Sequence, residues 1–249
     1  KFVNSGQVDL RVGSWGQFRP TFDVQTVLDK DKTVAFRLNG AYERADNYRP
    51  IVSLSKAYIN PSLEWWPDEK TTINAELDYL NSNVTPVTST VNLGSISEEK
   101  LYDMPHSKFL GFSGENNNSK ILTYSFRINR QLSEKVSVRA AYFNSSYNVD
   151  NFSSALSDLT VPTTYEQKIR KISRGTRDDK NTTFQLDFIG KDVYTGKIKH
   201  TIQAGFDYRI ADATTQTWGK LNSKNQIEGL TIDTINAVSG AINHSLPTY

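Results

Sequence analysis

Apolar and polar residues alternate over long stretches of the chain, and the phase of that alternation sets its elements. From Thr71 onward Ile73, Ala75, Leu77 and Tyr79 share one phase, and Thr72, Asn74, Glu76 and Asp78 the other. A period of two over this length predicts an extended strand with one apolar and one wet side. The preceding run alternates too, with Ala57, Ile59, Leu63 and Trp65 against Asn60, Ser62 and Glu64. Between them Pro67-Asp68-Glu69-Lys70 predicts a tight reversal. The same reading predicts strands at Gly6–Val12, Gln17–Val27, Thr33–Arg44, Lys120–Gln131 and Val136–Tyr147. Two more centre on Phe184–Phe188 and Ile202–Ile210. These strands run to about 10 residues or more, against a usual mode of roughly 5–6. Pro61 falls inside one of them, where a missing ladder donor ordinarily signals an edge or a bulge.

The connections fall into two kinds. Short turns join strands two and three, four and five, six and seven, and eight and nine. The long aperiodic segments, at about 81–119, 148–181 and 212–249, never fall inside one of those pairs. In an up-and-down antiparallel sheet this puts every tight turn at one end and every long loop at the other, as in outer-membrane barrels. Trp65 and Trp66 flank a tight turn, and Trp15, Tyr42, Tyr79 and Tyr208 lie near the opposite strand ends, where membrane barrels carry aromatic girdles. The fold class is therefore all-β: an antiparallel up-and-down transmembrane β-barrel, of which about nine strands are present. A soluble β-sandwich is the alternative.

Composition narrows the class. The formal net charge of +2 argues against a nucleic-acid binder, whose basic surface would be plain. The chain has no cysteine, which removes disulfides, thiol catalysis and cysteine metal sites. No apolar run is long enough for a transmembrane helix, a fact that leaves barrel strands untouched. The first residues show no initiator Met and no signal-peptide pattern, and the last read as loop, so we expect a piece of a longer chain.

Five passages, in order, resemble the TonB-dependent siderophore receptors of Gram-negative outer membranes, nearest to the ferrichrome and hydroxamate branch. They are VGSWGQFRPTFDV at Val12–Val24, AFRLNGAYERADNYR at Ala35–Arg49, AYINPSLEWWPDEKTTI at Ala57–Ile73, DMPHSKFLG at Asp103–Gly111 and TGKIKHTIQAGFDYR at Thr195–Arg209. The resemblance implies a 22-stranded barrel around an N-terminal plug, and import of a ferric chelate when the TonB complex pulls on that plug. It also accommodates Pro61. Residues 1–249 would then be a partial barrel domain, with plug, TonB box and later strands absent. Implied partners are the ferric siderophore, the TonB complex through the missing plug, and outer-membrane lipid or lipopolysaccharide around a monomer. No cofactor is expected, since the siderophore is cargo and supplies the iron's ligands.

No catalytic constellation is present, so no enzyme is expected. His106, His200 and His244 are far apart, and a protein metal site is not expected. Asp9, Arg11, Asp23, Arg37, Glu64, Glu76, Arg127, Arg139, Asp187 and Arg209 recur on the polar phase, where cross-strand pairing is the simplest role. Siderophore pockets in the family are aromatic-rich, which suits an amphipathic chelate. Tyr102, Phe109 and Phe112 in the first long loop, and Trp218 beyond strand nine, are the candidate ligand contacts. The basic cluster Lys168, Arg170, Lys171, Arg174 and Arg177 reads as a solvated loop able to attract an anionic chelate or lipopolysaccharide. The run Glu115–Asn118 reads as a solvated loop tip. Haem, cobalamin or glycan cargo, a porin-like channel and a β-sandwich adhesin stay open as alternatives.

Overall fold

The computed structural model describes residues 2–87, 91–94, 104–160 and 164–246. Its strands are β1 (Ser5–Val12), β2 (Phe18–Val27), β3 (Val34–Asp46), β4 (Ser53–Asp68), β5 (Thr71–Val84), β6 (Asn116–Gln131), β7 (Val136–Asp158), β8 (Gln167–Thr195), β9 (Ile198–Trp218), β10 (Lys220–Leu221), β11 (Ile227–Glu228) and β12 (Leu230–Asn236). Each of β1 to β8 pairs antiparallel with the next in sequence, which is the expected up-and-down meander. The ninth position is shared. Along β8, β9 pairs from Ile198 opposite Thr195 to Trp218 opposite Arg174. β12 then takes the same edge from Leu230 opposite Ile172 to Asn236 opposite Gln167. Between them β10 and β11 form a small side hairpin. Its base closes tightly, since a Cβ on Gly219 would lie 2.2 Å from the Glu228 carbonyl oxygen.

The tight turns gather at one end and bond to each other. Trp66 N donates to Thr33 O at 2.8 Å, Gln131 N to Lys70 O at 2.8 Å, and Lys191 N to Lys135 O at 2.7 Å. The turn before β3 is held by Asp29, whose carboxylate accepts from Thr33 N at 2.9 Å and Val34 N at 2.8 Å. Those amides hold the Asp29 carboxyl below its ordinary value, Val34 contributing most.

The register separates the two phases into two faces. On the apolar face Val24 stands opposite Leu38, Ile59 opposite Tyr79, and Tyr79 opposite Leu122. Phe126, Tyr142, Phe184 and Tyr208 continue it across β6 to β9. Most of these side chains are exposed. The polar face carries the expected cross-strand pairs. Arg37 Nε bonds Asp23 Oδ1 at 2.8 Å, and Arg139 Nε bonds Asp187 Oδ2 at 2.9 Å, where Gln203 joins Oδ1 at 3.2 Å.

Four sequence expectations are corrected, the first in the last segment. β9 runs on to Trp218, which therefore lies within it and not beyond it, and β12 occupies Leu230–Asn236. The segment 148–181 is largely strand, since β7 reaches Asp158 and β8 begins at Gln167. At about 3.3 Å per residue this hairpin rises far past an apolar band ~25 Å tall. Its upper half carries polar residues such as Asp150 and Asp178 on the phase that is apolar lower down, so no apolar period marks it. The basic cluster is accordingly on β8 and is not a solvated loop, with Lys168 and Arg170 buried. Glu115 is buried as well, and Asn116 already opens β6.

Candidate ligand-binding site

Above the sheet, the first long loop, the β7–β8 tip and the segment after β12 pack into one layer. Leu93, Met104, Leu110 and Ala237 form its core, with Leu156, Ile235 and Ile242 packed against them. Arg170 is its polar centre and is fully buried. Its guanidinium pairs with Asp233, donates to the carbonyls of Leu110 and Gly111 at 3.3 Å and of Asn243 at 2.8 Å, and lies 3.9 Å over the Phe112 ring. Lys168 donates to Asn92 O at 2.7 Å, and Lys108 to Val238 O at 2.6 Å. His244 stacks on Phe109 and its Nδ1–H donates to Gly111 O at 2.7 Å. Gly111 has to be small, because a Cβ there would meet Glu115 Oε1 at 2.4 Å and the Phe109 ring at 2.7 Å.

The register shows which side this layer occupies. Tyr142 and Phe184, on the apolar face, share their phase with Leu156 and Arg170 through an unbroken β7–β8 ladder. The loop layer therefore backs the apolar-face side of the hairpin. Phe109 and Phe112 are inside the layer, with relative exposures of 1% and 0%. Trp218 is half-exposed, pairs in register with Arg174 on the apolar-face phase, and takes the Arg174 guanidinium 5.5 Å from its ring. Arg174 in turn forks Asp150, and that hydrogen bond holds the Asp150 carboxyl below its ordinary value. The structure buries Phe112 under Arg170 and Phe109 against His244 within one layer, while Trp218 packs against Arg174. Tyr102 lies outside the described residues.

A different set of apolar residues faces the other way. Tyr58 stands opposite Leu80, Leu80 opposite Ile121, and Ile121 opposite Tyr147, all on the polar phase. At about 4.8 Å between strands the four make a ledge ~15 Å wide. Tyr58 is fixed by its hydroxyl, which donates to Asp78 Oδ1 at 2.6 Å. Their signal in the sequence is a broken alternation, as in Ala57-Tyr58-Ile59, Tyr79-Leu80 and Ile121-Leu122. A search for aromatic-rich loops passes over it. Among the described residues no group of three or more His, Asp or Glu side chains is placed to hold a metal ion.

The sheet superposes on known barrels. It matches the ferric-catecholate import receptor Fiu of Escherichia coli in its open form with a TM-score of 0.79, at 17% identity, covering 98% of this chain and 38% of that one. The FpvA receptor of Pseudomonas aeruginosa bound to a ferric pyoverdine gives 0.78 at 16% identity, over 94% and 30%. The siderophore receptor PiuA of Acinetobacter baumannii gives 0.77 at 16%, over 93% and 33%. The chain has the fold of a siderophore-receptor barrel. In sequence, the metal-pseudopaline receptor CntO of two Pseudomonas aeruginosa strains is 27% and 26% identical over 79% of this chain. The resemblance to TonB-dependent siderophore receptors thus holds for a segment of the barrel. The chain spans 27% of the length of those curated relatives. No protein-family model matches it.

Proposed function

We propose that the full protein is an outer-membrane receptor that binds a ferric siderophore or a related metal chelate from outside and imports it with energy delivered through TonB. Residues 1–249 contribute part of its barrel domain. The apolar face meets membrane lipid, and the TonB complex acts through a plug that the resemblance places elsewhere in the full protein. The protein sits as a monomer in the outer membrane of a Gram-negative bacterium. The observation that carries this reading is the apolar ledge of Tyr58, Leu80, Ile121 and Tyr147, four apolar side chains in one cross-strand row of a mainly polar face that also carries Phe143 and Val149. Apolar side chains on a wet wall suit a flat amphipathic ligand, as in other concave sites with a few polar handles. The curated relatives at 27% and 26% identity support a metal chelate as the class of cargo.

Equilibrium binding to the full-length protein in detergent tests the reading, with a ferric hydroxamate, a ferric catecholate and haem as probes. Saturable binding of an iron chelate, weakened about tenfold or more by Tyr147→Ala or Leu80→Ala, is the expected result. The positions named from sequence, Tyr102, Phe109, Phe112 and Trp218, belong in the same series as the competing site. Folded protein that binds no metal chelate overturns the proposal and leaves another cargo or an open channel.

A further inference from the structure

Two register rows flank the ledge, and the one toward the loops is rich in cations. One step toward the loop end, a single polar-face row carries Arg11, Arg19, Glu43, Lys56 and Arg177. Arg11 is opposite Arg19, and Glu43 opposite Lys56. Lys56 connects through Ser82, Ser119 and Val149 to Arg177. Four cations thus share the row with one carboxylate, Glu43, which Arg19 approaches at 3.9 Å and Gln17 bonds at 3.3 Å. Lys56 and Arg11 have no ion-pair partner among the described residues and are exposed. Arg177 pairs with Asp179, which lies beside Tyr147 on the ledge row itself. One step toward the turns, the row carries Asp23, Asn39, Asn60 and Asp78, with Asp23 bound to Arg37.

From this layering we propose that the site selects a negatively charged, partly apolar metal chelate over a neutral one, with Lys56 as the principal charge contact. The inference rests on the receptor reading above and adds the charge of the cargo. A cationic row at the mouth of a low-dielectric wall concentrates anions there and raises their rate of entry. The row beneath the ledge carries no cation of its own, so the charge contact stays beside Tyr58 and Tyr147. Lys56 is two residues before Tyr58 on the same face of β4, within reach of any ligand lying on that ring. A neutral chelate gains the apolar contact alone.

The test uses the full-length protein in detergent and two ferric probes of similar size, a charge-neutral trihydroxamate and a multiply negative triscatecholate. Lys56→Gln is expected to weaken the triscatecholate about tenfold and leave the trihydroxamate within about twofold, and Lys56→Glu to weaken it further. Rising salt is expected to erode the difference between wild type and Lys56→Gln. Lys120→Gln, on the opposite face, controls for a general change of charge. Equal effects on both probes, or none on either, overturn the charge selectivity while leaving a chelate receptor in place. Loss of all chelate binding in the wild type would instead overturn the receptor reading itself.

Discussion

Asn60 Nδ2 lies 3.0 Å from the carbonyl oxygen of Leu77, the acceptor that a backbone N–H at position 61 would otherwise bond. Register between β4 and β5 is continuous up to Ile59–Tyr79 and resumes at Ser62–Glu76, so Pro61 interrupts it on that side. The β3 side, where Leu38 faces Pro61, is unbroken. Proline therefore sits within a central strand because the side chain before it supplies the missing donor. The same amide group also reaches Glu76 and Asp78, and its oxygen accepts from Asn39 at 2.9 Å.

Asn60→Ala is expected to cost about 1–3 kcal/mol, the range for a buried acceptor left without a partner. Urea unfolding of the full-length protein in detergent measures it. Pro61→Ala in the same background restores an N–H and is expected to recover most of the loss, a coupling that a double-mutant cycle isolates. Independent, additive effects would contradict the substitution of one donor for the other.

Arg170 ties three separate segments to β8 through one guanidinium. Arg170→Met removes the cation and leaves Asp233 and three carbonyls without it, with an expected local cost of about 3 kcal/mol. Hydrogen–deuterium exchange should show faster exchange across residues 104–115 and 237–246 while the β2–β5 ladders stay protected. Arg170→Lys is not expected to rescue, since an ammonium cannot reproduce the planar fork and the stacking on Phe112. Protection unchanged in Arg170→Met would mean that apolar packing alone holds the layer.

The turn before β3 gives a pH dependence of defined sign. The amides of Val34 and Thr33 stabilise ionised Asp29, so its carboxyl titrates lower in the folded protein than in the unfolded chain. Its contribution is complete above the unfolded carboxylate value, near pH 4, and is lost as pH falls through the lower folded value. The stability difference between wild type and Asp29→Ala should be constant from neutral pH to about pH 5 and shrink below that. Unfolding midpoints taken across that range check it, and a difference that grows on acidification would contradict the assignment.

Wherever a strand has one face against lipid, the chain announced it. The phases of Ile59, Tyr79, Leu122, Phe126, Phe184 and Tyr208 are visible because lipid on one side and polar groups on the other force a period of two. The upper β7–β8 hairpin was hidden for the opposite reason. There Asn148, Asp150, Thr176 and Asp178 put polar side chains on the phase that is apolar lower down, so ladder bonding holds the strand and no period marks it. Arg170 was legible as a cation and illegible as a buried one, since its burial depends on loops that arrive from positions about sixty residues away on each side. The ledge was present in the sequence as Tyr58, Leu80, Ile121 and Tyr147, but seeing it as one surface requires the cross-strand register. Phe109 and Phe112 read in sequence as aromatic loop residues, and only packing distinguishes a ligand contact from a brace for other loops.

The most direct test of the two-faced sheet is a spin-label scan of β6 in the full-length protein, reconstituted in lipid. This segment contains no cysteine, so single Cys substitutions from position 121 to 126 each give one label within it. Collision with oxygen, which partitions into the bilayer, and with a water-soluble nickel chelate reports which side each position faces. Strict alternation is expected, with oxygen favoured at Leu122, Tyr124 and Phe126 and the nickel chelate at Ile121, Thr123 and Ser125. Ile121 is the decisive position, because its own chemistry favours lipid and its register places it on the wet wall. Alternation in the opposite phase, or none, would contradict the barrel reading and remove the ledge with it.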